Sequence, residues 1–252
     1  MENPPQHAGQ SIVIGVDIGG SGIKAAPVDL GTGALTEERR RIPTPQPATP
    51  VAVVDTVRRL VDGFATTGPV GVTLPSVVRG GIVHTAANID DEWVGCDAET
   101  RMSEATGRAV SVLNDADAAG LAEVRHGAGR DAAGVVLMLT LGTGIGSALF
   151  VDGTLVPNTE FGHLELHGGD AEHYAADSVR VAEELGWKEF AKRLEEYVHV
   201  LEHLLWPDLI IIGGGVSKKA DKYLPHISAA TPIVPAVLRN NAGIVGAAMA
   251  TR

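Results

Sequence analysis

"SIVIGVDIGGSGIKAAPVDL", residues 11–30, is the stretch that decides the fold. Its apolar and β-branched first part, residues 11–18, predicts a buried strand, "GGSG" at 19–22 predicts a turn, and residues 23–30 predict a second strand. Glycine turns after buried strands let main-chain N–H groups approach a phosphate closely, because no side chain intervenes. The stretch therefore predicts a phosphate-binding β-hairpin, and an ordinary hairpin turn is the alternative.

The same pattern returns near the middle of the chain in "GVVLMLTLGTGIGSALFVDG", residues 134–153. Aligning "DIGGSGIK" with "TLGTGIGS" places Asp17 on Thr140 and Gly19 on Gly142, an offset of 123 residues (140 − 17). A true duplication would build two similar α/β halves whose glycine turns line one cleft, and a chance match of short glycine patterns is the alternative.

A third glycine turn follows the buried strand predicted in "DLIIIGGGVS", residues 208–217. Three such turns suggest a nucleotide or another phosphate chain as ligand. "GSGIK" does not fit GxxxxGK[ST], and "GTGIG" is followed by strand-like sequence rather than by the helix that a dinucleotide fingerprint needs. Phosphate-binding hairpins fit the sequence better than either motif.

Composition limits the class of partner. The chain has 252 residues, 44% of them hydrophobic, which is enough for a sizeable core. Its 20 Lys and Arg against 31 Asp and Glu give a formal charge of −11, which argues against nucleic acid or an anionic membrane as the main partner. The single cysteine, Cys96, cannot form an internal disulfide, and neither a membrane span nor a secretion signal is recognisable. A cytoplasmic protein is expected, and any polyanion that it binds must meet a local basic patch.

Two charged residues of the first hairpin are candidates for handling phosphate. Asp17 ends the first strand, where its carboxylate suits Mg²⁺ held through water beside a phosphate, although a turn-capping Asp is an equal alternative. Lys24 suits a transferring phosphoryl group, and an exposed strand lysine is the alternative.

"LNDADAAG", residues 113–120, places the Asp115 carboxylate at a predicted strand-to-helix junction, a position where rigid structure can hold a catalytic group. A helix N-cap formed by Asn114 or Asp115 is the alternative.

"NTEFGHLEL", residues 158–166, brings Glu160, His163 and Glu165 close together. Carboxylates and an imidazole so close suit hydrogen bonds to hydroxyls, or a metal. Asn88 in "AANID" is a further donor and acceptor suited to a sugar hydroxyl, and a loop Asn without function is the alternative.

Taken in order, "GVDIGGSGIKAA", "NDADAAGLAE", "LTLGTGIGSAL", "EFGH" and "IIIGGGVS" resemble the ROK family of sugar kinases, repressors and related proteins, within the actin-like ATPase superfamily. The resemblance implies an α/β, duplicated actin-like ATPase (ribonuclease H-like) fold with two domains around a central cleft. It implies an N-terminal domain over residues 1–113 and a C-terminal domain over 114–240, with a last helix at about 241–252 packing back on the first. Family members commonly pair through the second domain, so a homodimer is expected.

The resemblance also implies roles for individual residues. Asp115 corresponds to the family's general base, and Asp17 to the residue that organises Mg²⁺. Sugar contacts are implied for Asn88, Asn114, Asp115, Glu160, His163 and Glu172, with Glu165 less well matched. Donor contacts are implied for Asp17, Gly19, Gly20, Ser21, Lys24, Thr140, Gly142, Thr143 and Gly144, and on the adenosine side for Gly213, Gly214 and Gly215.

One departure from the family narrows the expected function. Many members carry a zinc motif, CxCGxxGCxE, after the "GH", but "GHLELHGGDAEHYAAD", residues 162–177, contains no cysteine, so no zinc is expected. The Glu of that motif is retained as Glu172. With "AANIDDEW" and the short chain, this pattern resembles the actinobacterial branch that phosphorylates glucose from inorganic polyphosphate, and often from ATP.

The expected reaction is phosphoryl transfer to the 6-hydroxyl of glucose. The alternatives are a strictly ATP-dependent hexose or mannose kinase, a sugar-sensing regulator, and a polyphosphate phosphatase. The regulator is disfavoured because about ten residues precede "SIVIGV", too few for a helix-turn-helix. Candidates to guide a long polyanion, with a solvated helix face as the alternative, are Lys188, Lys192, Arg193, Lys218, Lys219 and Lys222.

Overall fold

A computed structural model describes residues 12–87 and 89–251 of the chain. Its principal strands are β1 (Ile12–Gly19), β2 (Gly22–Asp29), β3 (Ala34–Leu35), β4 (Arg40–Ile42), β5 (Val70–Leu74), β6 (Val78–Arg79), β7 (Ile82–Val83), β8 (Val110–Asn114), β9 (Val135–Leu141), β10 (Ile145–Val151), β11 (Thr154–Val156), β12 (Glu165–Leu166), β13 (Gly169–Asp170), β14 (Leu209–Gly213) and β15 (Ile233–Pro235). The α-helices are α1 (Pro50–Val61), α2 (Ala98–Thr106), α3 (Asp115–His126), α4 (Glu172–Ala175), α5 (Asp177–Ala182), α6 (Trp187–Leu205), α7 (Ala220–Tyr223) and α8 (Ala242–Met249).

Two mixed sheets have the same plan. The first has the order β3-β2-β1-β5-β8, with β4 also pairing with β2, and the second has the order β11-β10-β9-β14-β15. In each sheet an antiparallel hairpin, β1–β2 or β9–β10, is followed by two parallel strands. The repeated glycine turns close these two hairpins, so the predicted duplication is confirmed.

Helices α3 and α8 lie between the two sheets. Helix α8 packs on β1, β2 and β5 of the first sheet and on α3, and α3 packs on β9 and β10 of the second. The outer face of the first sheet packs on α1 and α2, and the outer face of the second sheet packs on α6. The order of layers brings the strand ends of both sheets to one cleft.

The contact of α8 with its neighbours involves main-chain atoms. A methyl group on Gly15 of β1 would collide with the Ile244 carbonyl, and one on Gly71 of β5 with the Ala247 carbonyl. From the other side, a methyl group on Gly246 would collide with the Ala118 carbonyl of α3. Glycine at these positions lets two helices and a sheet approach one another at backbone distance.

The sequence predicts a helix at 187–206, from the helical spacing of its apolar residues, and another at 218–227, and the two predictions have different outcomes. The amphipathic stretch at 187–206 forms α6, which buries Phe190, Leu194, Tyr197, Val198 and Leu201 as expected, although Leu205 is only partly buried. The stretch at 218–227, predicted as one helix, is instead the four-residue α7 flanked by 3₁₀ turns. Pro225 lacks an N–H and interrupts the α-helical ladder there. Within the described residues, no helix is long and apolar enough to cross a membrane.

Candidate functional site

A cavity of about 230 Å³ opens between the two sheets and is called the cleft below. The first hairpin contributes Asp17 and Lys24, and β9 contributes Thr140. Gly213, the last residue of β14, and the next two glycines line a further side, with Lys218 and Arg239 nearby. Asp115 lies in the same wall, so the predicted general base and parts of the predicted donor site share one cavity.

Asp115 is the first residue of α3 and follows β8 directly. Asn114 caps the helix, its Oδ1 accepting from the N–H groups of Ala116 (2.8 Å) and Asp117 (3.1 Å). The Asn114 amide donates to the Ser76 carbonyl at 3.2 Å, and the N-cap alternative is therefore realised by Asn114. The capped helix start fixes the backbone from which the Asp115 carboxylate reaches the cleft.

The Asp115 side chain is exposed to solvent on the side of the cleft. On its other sides it is closely surrounded by protein atoms, which reduces its hydration. Burial is the main cause that raises its pKa to about 6, and the negative charges of Asp17 and Glu160 add to the shift. The Ala116 N–H, which donates to Asp115 Oδ1 at 2.9 Å, opposes it. A carboxyl with this pKa is ionised for the most part at neutral pH and is a stronger base than an ordinary aspartate.

Asp117 is a second carboxyl in this cluster, which sequence reasoning missed. It is 1% exposed, and burial raises its pKa to about 7, with contributions from Glu160 and Asp115. Its Oδ2 accepts from the Asn158 N–H at 2.8 Å, and Oδ1 has no hydrogen-bond partner among the described residues. The alternation of acidic residues in "NDADAAG" was the available signal.

Asn158 continues this contact across the cleft. Its side-chain Oδ1 accepts from the Val78 N–H at 3.0 Å, and its Nδ2 donates to the Val78 carbonyl at 2.9 Å. Val78 belongs to β6, which packs beside β8 of the first sheet, whereas Asn158 follows β11 of the second sheet. One amide side chain thus joins the two halves beside the carboxyl cluster, and nothing in the sequence pattern indicated it.

Glu160, His163 and Glu172 meet beside the second hairpin. Burial raises the pKa of Glu160, and the charge of Glu172 adds to the shift. A hydrogen bond to Asp170 Oδ2 at 2.8 Å is the main cause that raises the pKa of His163. Glu172 Oε2 accepts from the Ile145 N–H at 3.0 Å, which ties this cluster to the second glycine turn.

Two further residues were predicted from the sequence to contact the sugar, Glu165 and Asn88. Glu165 is exposed on the short strand β12. Asn88 lies outside the described residues, but its chain neighbours Ala87 and Ile89 line a second cavity, of about 270 Å³, beside Gly19 and Gly20 of the first turn.

The glycine turns are held by neighbouring side chains. In the first, Thr44 Oγ1 donates to the Gly19 carbonyl and Arg41 Nη2 donates to the Ser21 carbonyl at 2.6 Å. In the second, the Ser178 hydroxyl donates to the Thr143 carbonyl at 2.6 Å. Gly214 of the third turn has φ 79°, and a methyl group there would collide with the main chain of Leu141. The second and third turns are therefore in direct contact.

Asp17 pairs with Lys24 across the first hairpin, with 3.0 Å between Oδ2 and Nζ, and the Thr73 hydroxyl lies 3.4 Å from Oδ1. Within residues 12–87 and 89–251 no three His, Cys, Asp or Glu side chains converge as metal ligands. Mg²⁺ typically takes one or two protein carboxylates and completes its shell with water and substrate phosphates. The Asp17 carboxylate, which faces the cleft, fits that requirement.

The predicted polyanion guides are dispersed. Lys218 lines the cleft. Arg193 pairs with Glu183 at 2.6 Å and lies over the Tyr174 ring, and Lys222 lies over the Trp187 ring. The others, Lys188, Lys192 and Lys219, are exposed.

The amino-acid sequence of this chain is similar to those of known sugar kinases. Residues 13–175 match the ROK family. A "Polyphosphate glucokinase" of Mycobacterium tuberculosis (strain CDC 1551 / Oshkosh) is 54% identical over 238 residues, which are 94% of this chain and 90% of that protein. A protein of the same name from Mycobacterium leprae is 51% identical over 94% of this chain and 74% of its own length.

A solved structure shows the same similarity in three dimensions. An inorganic polyphosphate/ATP-glucomannokinase from Arthrobacter sp. strain KM has a TM-score of 0.90 and 52% identity, covering 95% of this chain and 97% of its own. The neighbours are ROK sugar kinases, which have the actin-like ATPase fold, so the fold predicted from the sequence is confirmed.

Proposed function

The chain belongs to the ROK family, and we propose that it transfers a phosphoryl group from inorganic polyphosphate, and also from ATP, to the 6-hydroxyl of glucose. The similarity to polyphosphate glucokinases at 54% identity supports the activity. The observation that carries the chemistry is the position of Asp115, a carboxyl with a pKa of about 6 that lies between the donor turns and the Glu160 cluster.

In the proposed reaction, the glucose 6-oxygen forms a bond to the terminal phosphorus of the donor while the bond from that phosphorus to the rest of the donor breaks. Asp115 accepts the proton of the hydroxyl group as attack proceeds. The products are glucose 6-phosphate and a donor one phosphate shorter. Most of the reduction in the activation barrier would come from holding the attacking and leaving oxygens in line with the phosphorus, because catalysis of phosphoryl transfer depends chiefly on positioning and charge neutralisation.

For the sugar we propose contacts with Asn88, Asn114, Glu160, His163 and Glu172. Asn114 already uses its carbonyl oxygen for two main-chain bonds and one amide hydrogen for Ser76, which leaves one amide N–H for a hydroxyl group. His163 is held by Asp170 and Glu172 by the main chain of Ile145. These supports fix the side chains before sugar arrives, which favours orientation of the 6-hydroxyl.

For the donor we propose that the two hairpin turns bind the terminal phosphates, through Gly19, Gly20, Ser21 and Lys24 on one side and Thr140, Gly142, Thr143 and Gly144 on the other. Gly213, Gly214 and Gly215 would receive the adenosine side of ATP. Asp17 would hold Mg²⁺ through water, which leaves the Asp115 carboxylate free to accept the proton. When bound, Mg²⁺ supplies positive charge that neutralises the phosphate oxygens.

Formation of glucose 6-phosphate by the purified chain with Mg²⁺ tests the proposal, with long-chain polyphosphate, ATP or no donor supplied in parallel. Product from polyphosphate is the expected result. Product from ATP alone would replace it with a strictly ATP-dependent hexose kinase, and phosphate release without sugar would indicate a phosphatase. A homodimer and a cytoplasmic location are also part of the proposal, and sedimentation equilibrium tests the first.

A further inference from the structure

Three consecutive arginines, Arg39, Arg40 and Arg41, precede and open the edge strand β4. Successive side chains of a strand point to opposite faces of its sheet. Arg40 lies on the outer face, where its guanidinium is 4.4 Å from the centre of the Phe64 ring and 3.9 Å from a Glu37 oxygen. Arg39 and Arg41 belong to the opposite face, which looks toward α8 and the cleft.

Contacts confirm that placement. Arg41 Nη2 donates to the Ser21 carbonyl in the first glycine turn, and its guanidinium lies against Gly22, where it would meet a methyl group. Arg39 Nη1 donates to the Asn240 carbonyl at 3.1 Å, and Asn240 lines the cleft. Both arginines therefore stand beside the proposed donor site although neither was singled out from the sequence.

The strand register orders these charges. Asp17 of β1 lies opposite Lys24 of β2, and Lys24 lies opposite Arg41 of β4. Residues directly opposite on neighbouring strands share a face, with Cβ atoms about 4.5–5.5 Å apart. Charged side chains thus run in a line from Asp17, in the cleft, across the hairpin to the edge of the sheet.

Arg39 and Arg41 are among the described arginines that have no carboxylate partner, and they stand out by lying together beside the cleft. Throughout the part of the chain that the structure describes, no carboxylate lies within ion-pair distance of either, whereas Arg40 between them in sequence pairs with Glu37, and Arg58, Arg130, Arg180 and Arg193 each have at least one such partner. Lys218 and Arg239, across the cleft, share this property within the same residues. In a chain of formal charge −11, cations left without carboxylate partners at one cleft mark the place where a polyanion meets favourable potential.

We propose that Arg39 and Arg41 bind the phosphates that follow the transferred one, so that a polyphosphate chain leaves the cleft across β2 and β4. The inference rests on the proposed function and adds the path of the chain. Arginine suits this task because its guanidinium carries five N–H donors, of which the contacts above use one or two. The glycines proposed to bind the adenosine of ATP lie in the second half of the protein, whereas the two arginines lie in the first half. The arginines would therefore contact the extra phosphates of polyphosphate, which ATP lacks.

The test compares three single variants of the same strand: Arg39→Gln, Arg41→Gln and, as the matched control, Arg40→Gln, which removes the same charge from the outer face. The measured quantities are kcat/KM for long-chain polyphosphate, tripolyphosphate and ATP, with glucose saturating. Arg39→Gln and Arg41→Gln are expected to lower the ratio of long-chain to ATP kcat/KM by about tenfold each, the size expected for a charge-assisted hydrogen bond. The loss should grow from tripolyphosphate to long chains, and Arg40→Gln should leave the ratio within twofold.

Chain-length dependence separates binding from a structural role of Arg41. If Arg41 acted only by supporting the turn through Ser21, all donors would lose equally and the ratio would stay constant, which would overturn the proposal. The same holds if Arg40→Gln changed the ratio as much as the other two variants.

Equilibrium binding separates this proposal from the proposed reaction. Isothermal titration calorimetry with polyphosphate of defined length and no glucose should show affinity that falls about tenfold in Arg39→Gln and in Arg41→Gln. If wild-type protein formed no glucose 6-phosphate but bound polyphosphate in this arginine-dependent way, the reaction would fail and the path would stand. If it formed product while both variants bound like wild type, the path alone would be refuted.

Discussion

At the scale of single residues, three carboxyls crowd one end of α3. Asp115, Asp117 and Glu160 all have raised pKa values, because burial disfavours their charged forms and each is close to another negative charge. Such clusters are common where a protein performs proton transfer. Asp115 is the member that lines the cleft, and we therefore propose Asp115, and not the buried Asp117, as the general base.

Asp115→Asn is expected to lower kcat by about 10² to 10⁴, the usual contribution of a general base. An asparagine oxygen can still accept from Ala116, so thermal unfolding should change little. The control is Asp97→Asn, because Asp97 likewise accepts a main-chain N–H, that of Thr100 at 2.9 Å, at the start of a helix. Turnover of Asp115→Asn within a few-fold of wild type would remove the residue from the mechanism.

The pH dependence of wild type follows from the same carboxyl. Asp115 accepts a proton only when ionised, and its pKa of about 6 lies above the ordinary value of 3.8. We therefore expect kcat/KM for glucose to rise tenfold per pH unit below about pH 6 and to level off above it. A profile that is flat between pH 5 and 7 would contradict the assignment.

Sequence reasoning found those residues whose signal is local. Asp115 follows a recognisable strand-to-helix junction and Asp17 a glycine turn. Asp117 was missed, because its importance comes from burial and from a contact with Asn158 at a distance of 41 positions along the chain. Arg39 and Arg41 were missed for a related reason, because their shared face depends on the pairing of β4 with β2.

At the scale of elements, the close packing of α8 is the feature that most restricts substitution. Gly246 lies inside α8, where alanine would favour the helix by about 1 kcal/mol. Its methyl group would nevertheless meet the carbonyl of Ala118 in α3. A main-chain carbonyl cannot relieve the collision by changing rotamer, as a side chain can. We therefore expect the steric cost to exceed the gain in helix propensity.

Gly246→Ala is expected to lower the free energy of unfolding by roughly 1–3 kcal/mol, as overpacking commonly does. Urea unfolding measures it. The matched control is Gly169→Ala in the exposed strand β13, where nothing lies within 4 Å of the added methyl and a change of no more than about 0.5 kcal/mol is expected. A Gly246→Ala protein as stable as wild type would show that α8 has room to shift.

Elements were predictable where periodicity was strong, as in α6 and both hairpins. The short α7 was not, because the stretch predicted as one helix, 218–227, contains Pro225, and the α-helix ends at Tyr223. That the last helix packs between the sheets could come only from family resemblance, since small residues in α8 show close packing without showing the partner.

At the scale of the whole molecule, Asn158 links the two halves between which we propose that the sugar binds. Asn158→Ala removes both hydrogen bonds to Val78. Each is worth on the order of 1 kcal/mol, so KM for glucose should rise about tenfold, with a smaller change in KM for the donor.

The control for this prediction is Ser103→Ala, which removes a hydrogen bond to Val110 that lies wholly within the first half. It should lower stability slightly and leave KM for glucose near that of wild type. Equal effects of Asn158→Ala on both substrates would indicate general loosening rather than a link between the sugar-binding halves.

The position of α8 also has a consequence for how the chain folds. All strands of the second sheet come from one continuous stretch, residues 135–235. The first sheet, in contrast, is covered at β1 and β5 by α8, which is distant from these strands in sequence. Contacts between residues distant in sequence form slowly, because the intervening loop must close first. The N-terminal half, although it is synthesised first, is therefore expected to complete its folding after the C-terminal half. Pulsed hydrogen exchange during refolding should show that the amides of β9 and β14 are protected before those of β1 and β5.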